Sequence, residues 1–326
     1  MTESAAKPRE RFYGLLPAEY EHPFDRKALN ALEEIPALPS ITKKLVELSF
    51  EKIFRIQFSG SNLCVTRQNM PDVHSLLLEA CAILDIRKIP DLFIRWDYSV
   101  NAFTTGVEDP FIVLNSGCID LLSNDELLFV LGHELGHIKS GHVLYRTMAE
   151  FLPAVVDLLG QVTLGIAGVA GTGMQLALMN WYRMSEFTAD RAGLLTCQSS
   201  DVCINSMLKL AGLPQKYDQA NFKQSFLQQA REFEDLDYST INRTVKLFST
   251  LTTSHPWTVL RASQFLVWIN SGEYEDLLLA YKSKTIETPK GSQFCANCGA
   301  PLALLSQRFC GSCGSVVNST KPTSLD

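Results

Sequence analysis

Residues 123–139, SNDELLFVLGHELGHIK, decide how this chain folds and what it can carry. Ser123 followed by Glu126 has the spacing of a capping box, so a helix starts here, and its apolar pattern runs on to about Glu150. His133, Glu134 and His137 stand on that helix. Residues four apart differ by about 40° around a helix axis, so both imidazoles aim at one point. Two neutral ring nitrogens at one point suit a zinc ion. Glu134, beside the same point, can take a proton from a water on the metal. His142 lies nine residues past His133, would face the other side of the same helix, and is set aside as a ligand.

A catalytic zinc needs a third protein ligand and an open fourth position. A second polar-capped helix is expected from about Ser185, and it carries Glu186 and Asp190 on one face. Glu186 is read as the third metal ligand. Asp190 is read as the acceptor for the outer N–H of His133, which fixes the tautomer and raises ligand basicity. Alone, the two carboxylates would be a solvated acidic face; beside HExxH the metal reading is preferred.

These pieces fall in an order that resembles the HtpX-like gluzincin metallopeptidases, the group that includes the CaaX prenyl proteases. The resemblance rests on Asn101-Ala102-Phe103, the HELGH helix, Glu186 to Asp190, and Ser254-His255-Pro256 with Arg261, and covers roughly Tyr20 to Tyr281. It implies that Asn101, Ala102 and Phe103 lie on a strand bordering the cleft and pair with a peptide backbone. It also makes His255 and Arg261 candidates to stabilise the oxyanion, the plain alternatives being a capped loop and a surface ion pair. The implied activity is zinc-dependent endopeptidase action on extended or misfolded polypeptides, with Glu134 as general base. The rivals are a non-catalytic adaptor that keeps the fold, and a prenyl-protein endopeptidase, for which the chain is short of membrane spans.

The rest of the chain sets limits. It has 326 residues, a net charge of −6, 46% hydrophobic and 20% charged residues, which describes a globular protein without a basic field for nucleic acid. The opening residues lack a secretory signal pattern, so a cytoplasmic location is expected, with membrane association as the alternative. Residues 1–40 hold five prolines and read as an arm, extended with short helical pieces, that covers the cleft and keeps the enzyme latent. Further helices are expected over 42–56, 71–86, 201–210, 220–233 and 258–269, and short strands over 91–97 and 111–115. The fold class is therefore mainly helical α+β, with the peptidase domain at 41–287 and a small sheet at its cleft.

Two segments stand apart. Residues 158–182 are an uncharged run of 25, long enough to span a bilayer. A single crossing would put His137 and Glu186 on opposite sides, so residues 151–182 are read as a helical hairpin, either buried or dipping into a membrane face. At the C-terminus, Cys295, Cys298, Cys310 and Cys313 form two C-x-x-C knuckles. They read as a compact zinc ribbon at 294–314 with a second, structural zinc, docking to a protein partner, with a redox dithiol pair as the alternative. A linker at 288–293 and a tail at 315–326 flank it. The scattered Cys64, Cys81, Cys118, Cys197 and Cys203 read as core residues.

Overall fold

The computed structural model describes residues 9–36, 38, 39, 42, 50–149, 166–217, 219–235 and 257–287. His255, the four C-terminal cysteines, the linker and the tail lie outside the described residues. In chain order the elements are α1 (Pro23–Glu33), α2 (Phe50–Ser61), β1 (Leu63–Cys64), α3 (Pro71–Ile83), β2 (Asp91–Arg95), β3 (Ala102–Thr105) and β4 (Phe111–Asn115). They continue as α4 (Ser116–Leu121), α5 (Asn124–Lys139), α6 (Ile166–Cys197), α7 (Ser200–Leu210), α8 (Gln219–Asp235), α9 (Thr258–Asn270) and α10 (Glu273–Glu287). Residues 143–149 are also helical. The fold is mainly helical with one small sheet.

The sheet runs β1-β2-β4-β3, with β2 and β4 parallel and the two outer pairings antiparallel. Both of its faces are covered. Leu92, Ile94, Ile112 and Leu114 face the main core, while Phe93, Phe111 and Val113 meet Phe54 and Phe58 of α2. Burial on two sides explains why residues 111–114, FIVL, are continuously apolar instead of alternating. β3 closes one edge and lies alongside α5, which sets the sheet beside HELGH.

α5 begins where its capping box predicts. Ser123 Oγ accepts from the Glu126 N–H at 3.3 Å, and Glu126 Oε2 accepts from the Ser123 N–H at 2.7 Å. Lys209 of α7 donates to the same carboxylate at 2.6 Å, tying the start of α5 to the core.

α5 then crosses α6 at very short range. A Cβ on Gly136 would lie 2.6 Å from the Ala192 Cβ, and one on Gly132 would strike Thr196. Across the same contact, a Cβ on Gly193 would lie 2.7 Å from the Phe129 ring. Small residues at these positions let the two backbones meet.

Several expectations are corrected. The helix from Ser123 stops at Lys139, because Gly141 adopts φ +72° and turns the chain. No helix starts at Ser185; that residue is inside α6, its hydroxyl satisfied by donating to the Tyr182 carbonyl at 2.7 Å. Of the helix expected over 42–56, residues 50–56 lie in α2, which runs on to Ser61, and residues 43–49 lie outside the described residues. Cys64 is exposed, whereas Cys81, Cys118, Cys197 and Cys203 are buried.

Residues 9–36, where an extended arm with short helical pieces was expected, carry such pieces and pack into the core. Phe12, Leu15 and Tyr20 belong to the main core, and Leu32 packs with Met148, Met174, Leu178 and Trp181. Two of the prolines start helical turns, Pro17 and Pro23, where a missing N–H costs nothing. Arg191 of α6 donates to the Glu21 carbonyl at 3.1 Å and fastens the segment. The second half of the uncharged run is part of α6, and Met174, Leu178, Trp181 and Tyr182 are buried. No helix among the described residues is long and apolar enough to cross a membrane.

Two measurements check this packing. Gly136→Val should destabilise the protein by about 1–3 kcal/mol in chemical denaturation, since the added carbons meet α6. For Glu126, burial alone would raise the pKa, but Lys209 and the Ser123 N–H hold it below its ordinary 4.5. A lowered native pKa adds stability above pH 4.5 that is lost as pH falls through the native value. Wild type should therefore exceed Glu126→Gln by about 1.5–3 kcal/mol at neutral pH, with the gap closing in acid.

Candidate metal centre

Three ligand atoms converge where α5 and α6 cross. His133 Nε2 and His137 Nε2 are 3.2 Å apart; Glu186 Oε2 lies 3.4 Å from the first and Glu186 Oε1 lies 3.4 Å from the second. A tetrahedral ion with bonds of about 2.0–2.1 Å has ligands about 3.3–3.4 Å from one another. One ligand atom from each of the three residues lies within 4.8 Å of the others, close enough for a single ion to gather them into such a triangle. All three side chains are buried. Two imidazole nitrogens and one carboxylate suit zinc.

The close crossing makes this triangle. Gly132 and Gly136 bracket His133 and His137, and Ala189 and Ala192 follow Glu186, so the same small contacts bring the two ligand sets within reach. On α6, Tyr182, Glu186 and Asp190 succeed one another at four-residue steps and share a face.

Asp190 fixes His133. Its Oδ1 is 3.0 Å from His133 Nδ1, which places the ring proton there and turns the Nε2 lone pair inward. Arg261 holds Asp190 in turn, donating from Nε at 2.8 Å and from Nη2 at 2.5 Å. Burial would raise the Asp190 pKa, but the guanidinium outweighs it and keeps the carboxylate ionised. Arg261 is thus in a buried ion pair, not the surface pair considered above, and its Nη1 lies 3.9 Å from Glu186 Oε2. For His133, burial works against protonation, yet Asp190 and Glu186 raise its pKa to about 9. The site asks for positive charge, and a proton or a cation meets that demand.

Glu134 sits beside the triangle. Thr104 of β3 donates to its Oε2 at 2.7 Å, leaving the other oxygen available. Burial raises the Glu134 pKa above its ordinary value, which strengthens it as a base. A small cavity is lined by Asn101, Ala102, His133, Glu134 and Arg261 together with Leu210. Phe103 does not line it. Successive side chains on a strand alternate, so Phe103 turns to the other face and meets Phe58 at 5.5 Å between ring centroids.

Arg146 was not singled out from the sequence. Its Nη2 donates to Tyr182 Oη at 2.7 Å, and its Nη1 pairs with Glu186 and lies 2.9 Å from His137 Nε2. The guanidinium stands on one edge of the triangle. Burial first, then its charge, push the His137 pKa well below the ordinary value, so this imidazole is neutral as a ligand must be. Nothing in local periodicity marks Arg146 or Thr104; only the tertiary fold brings them here.

The crossing helices, the inward histidines, the third carboxylate and the flanking base define an HExxH metallopeptidase. The chain belongs to peptidase family M48, whose model matches residues 67–269. It is 36% identical over 282 residues to the plastoglobule-localized metallopeptidase 48, chloroplastic, of Arabidopsis thaliana, covering 84% of this chain and 78% of that protein. It is 28% identical over 172 residues to protease HtpX homolog 2 of Methanosarcina mazei, covering 46% of this chain and 58% of that relative. A protease HtpX of Acinetobacter baumannii is 25% identical over 206 residues, covering 54% of this chain and 68% of its own length. No solved structure matches the chain.

Asp190→Asn tests the anchoring network. Removing one member of a buried ion pair should cost about 3–5 kcal/mol of stability, because Arg261 is left uncompensated. Zinc affinity, followed by chelator competition, should fall about 10- to 100-fold as His133 loses its orienting partner.

Proposed function

We propose that this metallopeptidase is an endopeptidase for extended or misfolded polypeptides, with His133, His137 and Glu186 holding one zinc and Glu134 acting as general base. The observation that carries the proposal is the buried convergence of His133, His137 and Glu186, with one ligand atom of each within 4.8 Å of the others and a buried glutamate beside them. Zinc, when bound, supplies Lewis acidity that polarises a scissile carbonyl and makes water a stronger acid.

The protein's own residues supply the rest. Thr104 holds one Glu134 oxygen, so the other takes a proton from the attacking water and returns it to the leaving amine. A raised pKa suits both halves of that task. Asp190, fixed by Arg261, keeps His133 in one tautomer throughout. Arg261, which lines the cavity, and His255 are proposed as donors to the oxyanion that develops as the carbonyl is attacked.

Substrate selection follows from β3. Among the described residues it pairs only with β4, so its other edge can receive an extended backbone next to Glu134. Asn101 and Ala102 line the cavity at that edge, and Phe103 would contribute through its backbone. Strand addition demands an unfolded segment and little sequence, which supports misfolded polypeptides as substrates. The C-terminal cysteines are proposed to bind a second, structural zinc and to dock a protein partner. A cytoplasmic location, with any membrane contact through residues 151–182, belongs to the same proposal.

Casein hydrolysis and zinc content, measured together, test this reading. Glu134→Gln should retain zinc and lose activity by about 10²–10⁴-fold. Retained activity in that variant would exclude Glu134 as the base. An adaptor would show no hydrolysis even in the wild type.

A further inference from the structure

The end of α5 turns back on the site. Ser140 closes the helix, and Gly141 takes φ +72°. The His142 N–H then bonds the His137 carbonyl at 2.9 Å, and the Gly141 N–H bonds that of Ile138 at 3.2 Å. This is the paired bonding of a left-handed helix stop. Had the helix continued, His142 would point away from the metal centre. Instead its ring folds against His137, with centroids 5.2 Å apart.

The contact is polar and specific. His142 Nδ1 is 3.0 Å from His137 Nδ1, and His142 Nε2 is 3.1 Å from Asp25 Oδ2. Asp25 also accepts from Thr188 Oγ1 at 2.6 Å, and Thr188 stands on α6 two residues after Glu186. His142, Asp25, Thr188 and His137 are each at least 95% buried. With the His137 Nε2 lone pair turned inward, its proton is on Nδ1 and must be donated to His142 Nδ1. That leaves the His142 proton on Nε2, aimed at Asp25. One arrangement of protons satisfies the whole chain.

We propose that His142 and Asp25 are positioning residues for His137, as Asp190 is for His133, so that α1 is a working part of the metal centre. The inference rests on His137 being a ligand. Asp25 is in the first turn of α1. Its Oδ2 accepts from His142 Nε2 and fixes that ring, and through it orients the ligand imidazole. The N-terminal segment is therefore not a removable cover; it reaches the site through Asp25.

The test uses the full chain with Cys295, Cys298, Cys310 and Cys313 changed to Ser, so that thiolates do not bind metal. Zinc dissociation constants come from chelator competition, and cobalt absorption spectra report the ligand field. His142→Phe keeps a ring beside Trp181 but leaves the His137 Nδ1–H without an acceptor. It should weaken zinc binding about 10- to 100-fold and shift the cobalt spectrum. His142→Gln, whose amide oxygen can accept that proton, should recover most of the affinity. Asp25→Asn should weaken binding about tenfold.

Wild-type affinity and an unshifted spectrum in His142→Phe would overturn the inference. So would an equal loss in His142→Gln, because packing and not the hydrogen bond would then be at work. Should His142→Phe fail to fold, Asp25→Asn decides: unchanged affinity contradicts the proposal and weakened affinity upholds it. No zinc bound by the parent protein would instead defeat the metal-site reading itself.

Discussion

The close crossing of α5 and α6 is the constraint on which the rest of the structure depends. HExxH puts two imidazoles on one helix face, but a third ligand must come from a different helix. A carboxylate on a short side chain reaches them only if the backbones nearly touch. Gly132 and Gly136 on one side and Ala192 and Gly193 on the other permit that approach. The positions beside the ligands are therefore as constrained as the ligands. The sheet then lies along the open flank of α5, where Thr104 meets Glu134.

That crossing concentrates charge in a dry place. Glu134, Glu186 and Asp190 are all buried, with His133 and His137 between them. Isolated buried carboxylates would be costly or would take up protons. Arg146 and Arg261 prevent this from opposite sides, one on Glu186 and Tyr182, the other on Asp190. Their opposing positions also set the two imidazoles apart. His133 is held by carboxylates, while His137 faces a guanidinium and His142. An ion at the centre would repel Arg146 from His137 Nε2, and Tyr182 offers the guanidinium a partner that is not a metal ligand.

Features governed by local spacing were legible in the sequence. The capping box at Ser123 and Glu126, the i, i+4 histidines, and the Glu186 and Asp190 pair follow from helix geometry alone. β2 and β4 announced themselves as short apolar runs. Features made by tertiary contact were not legible. Arg146 lies thirteen residues past His133 and forty before Glu186, distances that no helical period relates to the site. Asp25 is farther still. The prolines of residues 1–40 suggested an extended arm over the cleft, and nothing in their spacing told that Phe12, Leu15 and Tyr20 are anchored in the core. His142 is not among the converging ligands, but its expected place on the far side of the helix rested on an unbroken helix. Gly141 was the available signal, since a glycine just after a basic last turn commonly stops a helix.

The central claim is that the crossing builds one tetrahedral site from His133, His137 and Glu186. Anomalous diffraction at the zinc edge, on crystals of the zinc-loaded protein, tests it most directly. The account predicts a peak about 2.0–2.1 Å from both histidine Nε2 atoms and a Glu186 oxygen. A zinc-loaded crystal with no peak at the crossing of α5 and α6, or with a peak there that Glu186 does not touch, would contradict it.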